Sequence, residues 1–455
     1  MQKSDRLGTQ PIAQLIREQA IPASIGILLL SINGIVDTIF VGKWIGSLAI
    51  GAITVVLPIQ FLIASIGMAI GVGGASIISR ALGANDREKA FWAFGNQATL
   101  NLVLAISIVG LGYQFQEEIL TLFGGKGKIL PLASEYFSII LCSIPFLAWA
   151  MMSNNIIRAL GAPKFAMMIM LIPAIINILL DPIMIVVLDL GIRGAAWATA
   201  ISFISSAAFA CWFFFISGKS ELQLKANKMR LKWPIVNEIF SIGAVTLARQ
   251  GTVSLLSVVL NNMLFAFGGE LSISVYGIIS RLMMFANFPV LGLTQGFLPV
   301  AGYNYGAQHF NRVEEVIKKS ILYGTIIALF IFTGILTFAG PIVSIFTNDP
   351  ELIRLTRPAL ITVFLATPLI TIQLIGSAYY QAIGKALPAL FLTMTKQGFF
   401  LIPLLFILPP FFGIDGIWYA FPIADVSAAL ITFIWLRKGV KELHSKTVDR
   451  PLETV

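Results

Sequence analysis

Ala159-Leu160-Gly161 returns as Ala382-Ile383-Gly384, about 223 residues further along the chain. Gly83-Ala84 returns as Gly306-Ala307 at the same offset. Gly191-Ile192-Arg193-Gly194 returns as Gly413-Ile414-Asp415-Gly416, one residue out of step. Three landmarks repeating at half the length of a 455-residue chain mark a duplicated unit. The sequence between them is apolar. Residues 44–79, 90–116, 194–218, 320–348 and 358–384 carry no Asp, Glu, Lys or Arg, and each run exceeds the roughly 20 residues that cross a hydrocarbon core.

Hydrophobic residues make up 57% of the chain and charged residues 12%, about half the charged share of a soluble domain. The class is an all-α membrane protein. A β-barrel is excluded, because its strands alternate in ~10-residue segments. Twelve transmembrane helices are expected, near 21–42, 48–79, 92–115, 130–157, 165–188, 194–216, 235–267, 272–304, 321–340, 356–383, 388–409 and 416–436. Six per half is an even number, so the two bundles enter the membrane in the same orientation and form a parallel repeat. The expected organisation is 1–216 for the first lobe, 217–234 for a cytoplasmic linker that lets the lobes move, 235–436 for the second lobe, and 437–455 for a cytoplasmic tail.

The net charge of +9 reports orientation rather than a nucleic-acid partner. With the N-terminus in the cytoplasm, most Lys and Arg fall in the tails and inner loops, including Lys219, Lys225, Lys228, Arg230 and Lys232. That is the positive-inside pattern, with both termini cytoplasmic. Cys142 and Cys211 fall within spans and give no disulfide framework. The N-terminal tail lacks a cleavable-signal layout, so the first helix is expected to persist.

The informative charges are those inside spans. Asp37 and Asp181 each follow an asparagine by one turn, Asn33 and Asn177, which stacks amide and carboxylate on one helix face. An acid at a helix centre costs about 2.5–3.5 kcal/mol on insertion scales, so each needs a partner, a cavity or a proton. A carboxylate pair facing a cavity can carry a proton. Oxygens from Asp37, Asn177, Asp181 and Thr199 would equally form a hard site for Na⁺. A third reading is that both acids merely bond nearby backbone and hold helices together. Pro22, early in the first helix, and Pro173 and Pro182, around Asn177 and Asp181, mark places where a ladder bond is lost and a helix can bend.

The halves differ in charge. Leu260 and Leu404 stand at the repeat positions of Asp37 and Asp181, while the second half places Arg249, Arg281 and Lys396 inside spans. If these bases face a cavity with Asn33, anionic or zwitterionic substrates fit; the alternative is snorkelling or pairing with backbone. Asp425 is the nearest counter-ion candidate. His309 and His444 lie in cytoplasmic segments, so no histidine metal site or triad is expected. Gly124-Gly125-Lys126-Gly127-Lys128 lacks the P-loop spacing. Without a nucleotide site, an ion gradient or the substrate's own gradient must drive any transport.

Val36-Asp37-Thr38-Ile39-Phe40-Val41-Gly42, Asn177-Ile178-Leu179-Leu180-Asp181-Pro182 and Gly194-Ala195-Ala196-Trp197-Ala198-Thr199 together resemble the multidrug and toxic compound extrusion (MATE) transporters, over nearly the whole chain. The DinF-like branch is the nearest in pattern. The resemblance implies two six-helix lobes in a V shape, with the acids matching Asp37 and Asp181 binding the coupling ion. It also implies that Tyr136, Asn154, Asn177 and Thr199 complete a polar network, and that the first helix bends at Pro22. The implied activity is antiport, with drugs or other amphipathic molecules exported against H⁺ or Na⁺ by alternating access. No cofactor, no enzymatic activity and no partner beyond substrate and lipid are expected. The expected setting is a bacterial or archaeal plasma (inner) membrane, with the protein acting as a monomer. The missing acids of the second half set this chain apart from branches that bind organic cations there. A flippase for lipids or lipid-linked anionic precursors, with Arg249, Arg281 and Lys396 holding a phosphate, remains the alternative. An intramembrane prenyl-transfer enzyme would need clustered acids for Mg²⁺-pyrophosphate, and no such cluster occurs.

Overall fold

A computed structural model describes residues 4–448; residues 1–3 and the last part of the expected tail, 449–455, lie outside the described residues. Among the described residues there is no strand. Eleven segments are long and apolar enough to cross a membrane. One of them, Trp233–Gly306, runs for 74 residues and turns at Gly269, where φ is 65° and ψ −164°. It is therefore two spans, which makes twelve among the described residues. They are α1 (Ile12–Trp44), α2 (Leu48–Gly83), α3 (Arg87–Gln114), α4 (Ile129–Ala159), α5 (Pro163–Val187), α6 (Gly191–Ile216), α7 (233–268), α8 (270–306), α9 (Phe310–Ser344), α10 (Pro350–Ala382), α11 (Ala386–Phe412) and α12 (Ile414–Val448). Helices are the only open structure that satisfies its own backbone in hydrocarbon.

The repeated landmarks are helix stops. After α4, Gly161 adopts φ 71°, and the Ala162 N–H reaches back five residues to the Ile157 carbonyl at 3.2 Å. After α10, Gly384 adopts φ 82°, and the Lys385 N–H reaches the Tyr380 carbonyl at 2.9 Å. Both are Schellman-type caps, which call for glycine at the left-handed position. At the other repeated stop the left-handed residue is not the glycine but Asn85 in one half and Gln308 in the other, each with φ 59°. The duplication thus preserves turn geometry even where the residue type changes.

By internal packing the chain divides into two compact units, and the division departs from the sequence boundaries. Unit 1 takes Ile25–Thr246 with the N-terminal stretch to Leu7; unit 2 takes Gly8–Ser24 and everything from Leu247. The first turns of α1 therefore belong to the second unit, and the linker with the first turns of α7 to the first. Glycines explain both transfers. In unit 1, a Cβ on Gly73 of α2 would stand 2.2 Å from the Ile239 carbonyl oxygen, and one on Gly243 would stand 2.7 Å from the Ala69 oxygen. In unit 2, a Cβ on Gly296 of α8 would stand 2.8 Å from the Ala20 nitrogen, and one on Gly292 would stand 2.0 Å from the Ser24 hydroxyl. The backbones touch, and only small residues allow that.

Nor is the linker loose. Asn96 of α3 donates to the Arg230 carbonyl at 3.2 Å and accepts the Lys232 N–H at 2.7 Å, while Thr99 donates to the Met229 carbonyl at 2.7 Å. Lys228 and Lys232 sit over the Trp92 ring, and Lys228 also pairs with Glu88. The expectation of a free tether gives way to a strap on unit 1, because its backbone groups are satisfied by α3 side chains. The C-terminal end differs as well: α12 stays helical to Val448. Gly439 packs against the Tyr379 and Tyr380 rings, and Lys385 bonds Glu442 at 2.7 Å. The first membrane span begins at Ile12 rather than near 21.

Each unit has its own apolar core. Val41, Val56, Phe137, Ile140 and Ile185 centre that of unit 1, and Leu260, Phe364, Leu405, Trp418 and Phe421 that of unit 2. Two outcomes test the contacts. Gly73→Val forces backbone apart and should lower the melting point of the detergent-purified protein by an amount equivalent to about 1–3 kcal/mol, whereas Gly110→Ala, with open space around it, should not. Asn96→Ala removes anchoring bonds worth about 2 kcal/mol together; trypsin should then cut at Lys228, Arg230 or Lys232 roughly thirtyfold faster, by the same local-opening arithmetic.

Candidate ion-coupling site

The site is assembled within unit 1 from α1, α2, α4, α5 and α6. Asp181 is the last residue of the regular part of α5. Pro182 follows it and cannot donate to the Ile178 carbonyl one turn back, and residues Pro182–Val187 continue as a π-helix. Such wide turns recur at functional positions. Asp181 is 0% exposed, and Asn177, one turn earlier on the same face, is 2% exposed. The Asn177 amide donates to Asp181 Oδ1 at 3.2 Å and to the Thr199 hydroxyl of α6 at 3.4 Å. Tyr136 of α4 is buried, stands beside Thr199 and Gln60, and lies within electrostatic reach of both Asp37 and Asp181. The two aspartates also act on each other. Asp37 is half-buried, so it is the more accessible of the two.

The bonding here is lopsided. Asp37 Oδ1, Asp181 Oδ2 and Asn33 Oδ1 are all buried acceptors with no donor, and Gln60 Nε2 is the one unpartnered donor near them. A buried polar atom left unpaired costs about 1–3 kcal/mol. Three spare oxygens around two carboxylates form an acceptor-rich site, which a proton or a hard cation would complete. The donor set of Asp37, Asn177, Asp181 and Thr199 is all oxygen and fits Na⁺ in kind.

The structure brings together Asp37, Asp181, Asn177, Thr199 and Tyr136, with Asn33 one turn from Asp37 on α1. It does not bring Asn154 to them. Asn154 donates to the Ala166 carbonyl at 2.6 Å and accepts from Arg158 at 3.3 Å. Along α4 it lies 18 residues from Tyr136, about 27 Å at the helical rise. Gln60 was missed. The available signal was an amide alone in the uncharged run 44–79, two residues after Pro58. Pro22 lies within α1, which stays helical through it, two residues before the Ser24–Ile25 boundary between units.

The three bases of the second half separate. Arg281 is exposed on α8 and Arg249 is half-buried on α7. Lys396 of α11 is paired with Asp425 of α12 at 2.6 Å. The exposed Arg281 departs from the expectation that all three are buried, whereas Lys396 meets Asp425, the counter-ion proposed for it.

With this geometry in place, the chain can be set beside known proteins. The MatE family profile matches it twice, over residues 22–183 and 246–407, two stretches of equal length, one per half. It is 29% identical to the multidrug export protein MepA of Staphylococcus aureus (strain MSSA476) over 424 residues, covering 93% of each chain. It is 32% identical to the MepA of Staphylococcus haemolyticus (strain JCSC1435) over 417 residues, covering 91% of each. A crystal structure of MATE in complex with MaL6 superimposes with a TM-score of 0.92 at 25% identity, covering 98% of this chain and 100% of that one. Twice-matched, helical throughout its spans and aligned end to end with transporters rather than enzymes, the chain belongs to the MatE family of multi-pass membrane transporters.

Proposed function

We propose that this transporter is an antiporter of a bacterial or archaeal plasma membrane, acting as a monomer with both termini cytoplasmic. It exports drugs or other amphipathic small molecules in exchange for H⁺ or Na⁺ by alternating access. The observation that carries the reading is the surplus of donorless oxygens around Asp37 and Asp181. An ion arriving from outside meets the more accessible Asp37 first and then engages the fully buried Asp181. Its arrival fills the spare valences and changes how α1 packs on unit 1. The first turns of α1 belong to unit 2, so a change in its outer half passes through Pro22 to the junction at Ser24–Ile25. Coupling then follows from the ion's unequal affinity for the two states of the carrier. The export function named for the two MepA relatives, together with their coverage of nearly the whole chain, supports this substrate class.

The decisive experiment is transport by purified protein in liposomes, with pH and Na⁺ gradients imposed separately. Asp37→Asn and Asp181→Asn should each abolish gradient-driven efflux while the protein purifies and melts like the wild type or better, because the new amide adds a donor to an acceptor-rich cluster. Wild-type rates in both variants would refute the assignment. Gln60→Leu should raise the half-saturating concentration of the driving ion by about tenfold, the equivalent of one lost hydrogen bond to a charged network, and leave the maximal rate largely intact.

A further inference from the structure

The Lys396–Asp425 pair has no part in the ion site, and nothing in the first half corresponds to it. Pro173 and, with the one-residue shift after Gly191, Phe203 occupy its repeat positions. Lys396 lies ten residues into α11 and Asp425 eleven into α12, which approaches from the opposite side. Each is therefore about 15 Å deep by helical rise, close to the middle of a ~30 Å core. Lys396 also stands in a π-helical stretch, Thr395–Leu401.

Adhesion alone is a poor reason for such a pair. Replacing a buried ion pair with packed apolar side chains is commonly neutral or stabilising. Ionisable groups at mid-membrane instead tend to mark substrate routes, and transporters bind their cargo at this depth. The pair is also uneven. Asp425 is 4% exposed and Lys396 14%, so the ammonium is the more accessible of the two. An ammonium carries three donors. Among the described residues Asp425 is its one ionic partner, and one carboxylate oxygen at 2.6 Å leaves donors over.

We infer that Lys396, held in place by Asp425, recognises an anionic group, in particular a carboxylate, on the transported molecule. Asp425 sets the direction of the ammonium and offsets its charge while the site is empty. The incoming carboxylate adds a charge-assisted hydrogen bond to the same nitrogen. Amphipathic acids and zwitterions are then favoured over their esters, which sets this unit apart from a site built on acids alone.

The inference rests on the transport reading above, so its test is a binding measurement that needs no gradient. A rhodamine free acid and its methyl ester differ only in whether the benzoate is free, and their binding to detergent-purified protein is read by fluorescence anisotropy. The wild type should bind the acid about tenfold tighter than the ester, the worth of one charge-assisted bond, and Lys396→Met should remove that preference. Lys396→Met leaves Asp425 buried without its partner and risks misfolding. The double variant Lys396→Met/Asp425→Asn keeps the volume without the charges and should lack the preference too. A wild type that binds the ester as well as the acid, or that binds neither, overturns the inference, as does a folded double variant that keeps the preference. Efflux of both dyes from liposomes, run in parallel, separates the two readings. A dye preference without gradient-driven efflux sinks the antiporter and spares the recognition site; efflux without preference does the reverse.

Discussion

Hydrocarbon supplies no hydrogen bonds, and every polar group in this molecule answers to that fact. The backbone meets it by running in helices, and the repeated caps meet it where helices stop, with amides after α4 and α10 reaching back to carbonyls that would otherwise be bare. The side chains mostly meet it too. Serines and threonines within the spans donate to carbonyls one turn earlier, as Ser65 does to Phe61 and Thr294 to Val290. Against this background the exceptions stand out. Among these are one oxygen of Asp37 and one of Asp181, whose carboxylates act on each other, and that of Asn33, one turn before Asp37.

These oxygens matter because of what α1 is attached to. Its C-terminal half carries Asp37 and packs in unit 1, while its first turns pack in unit 2 through Gly292 and Gly296. The helix is a single covalent rod that begins in one unit and continues in the other, with Asp37 in the part that belongs to unit 1. A rigid linker strengthens the same point. Residues 228–232 are tied to α3 by Asn96 and Thr99, so this part of the chain between the halves packs as a piece of unit 1.

Most of the architecture was legible in the sequence, for a simple reason: uncharged runs and repeated turn residues report directly on span and symmetry. Asn177 and Asp181 were legible because a spacing of four on a helix leaves no choice of face. Asn154 was misplaced because resemblance transfers identity but not depth, and 18 helical residues separate it from Tyr136. Gln60 was passed over because a lone amide carries no periodic signal. Arg281 looked buried because an apolar run shows that a residue is inside the membrane, not which way it points. The linker looked free because its composition is polar, and composition is silent about carbonyls captured by a neighbouring helix.

The close backbone contacts also bear on origin. Gly73 and Gly296 occupy the same place in the repeat, and each receives the beginning of a helix from the other half: α7 in one case, α1 in the other. A half-length ancestor with these contacts is a domain-swapped homodimer, each copy lending its opening turns to its twin. Gene fusion would have made that loan internal without altering a contact. Either half expressed alone would then lack a helix end and expose a bare glycine groove.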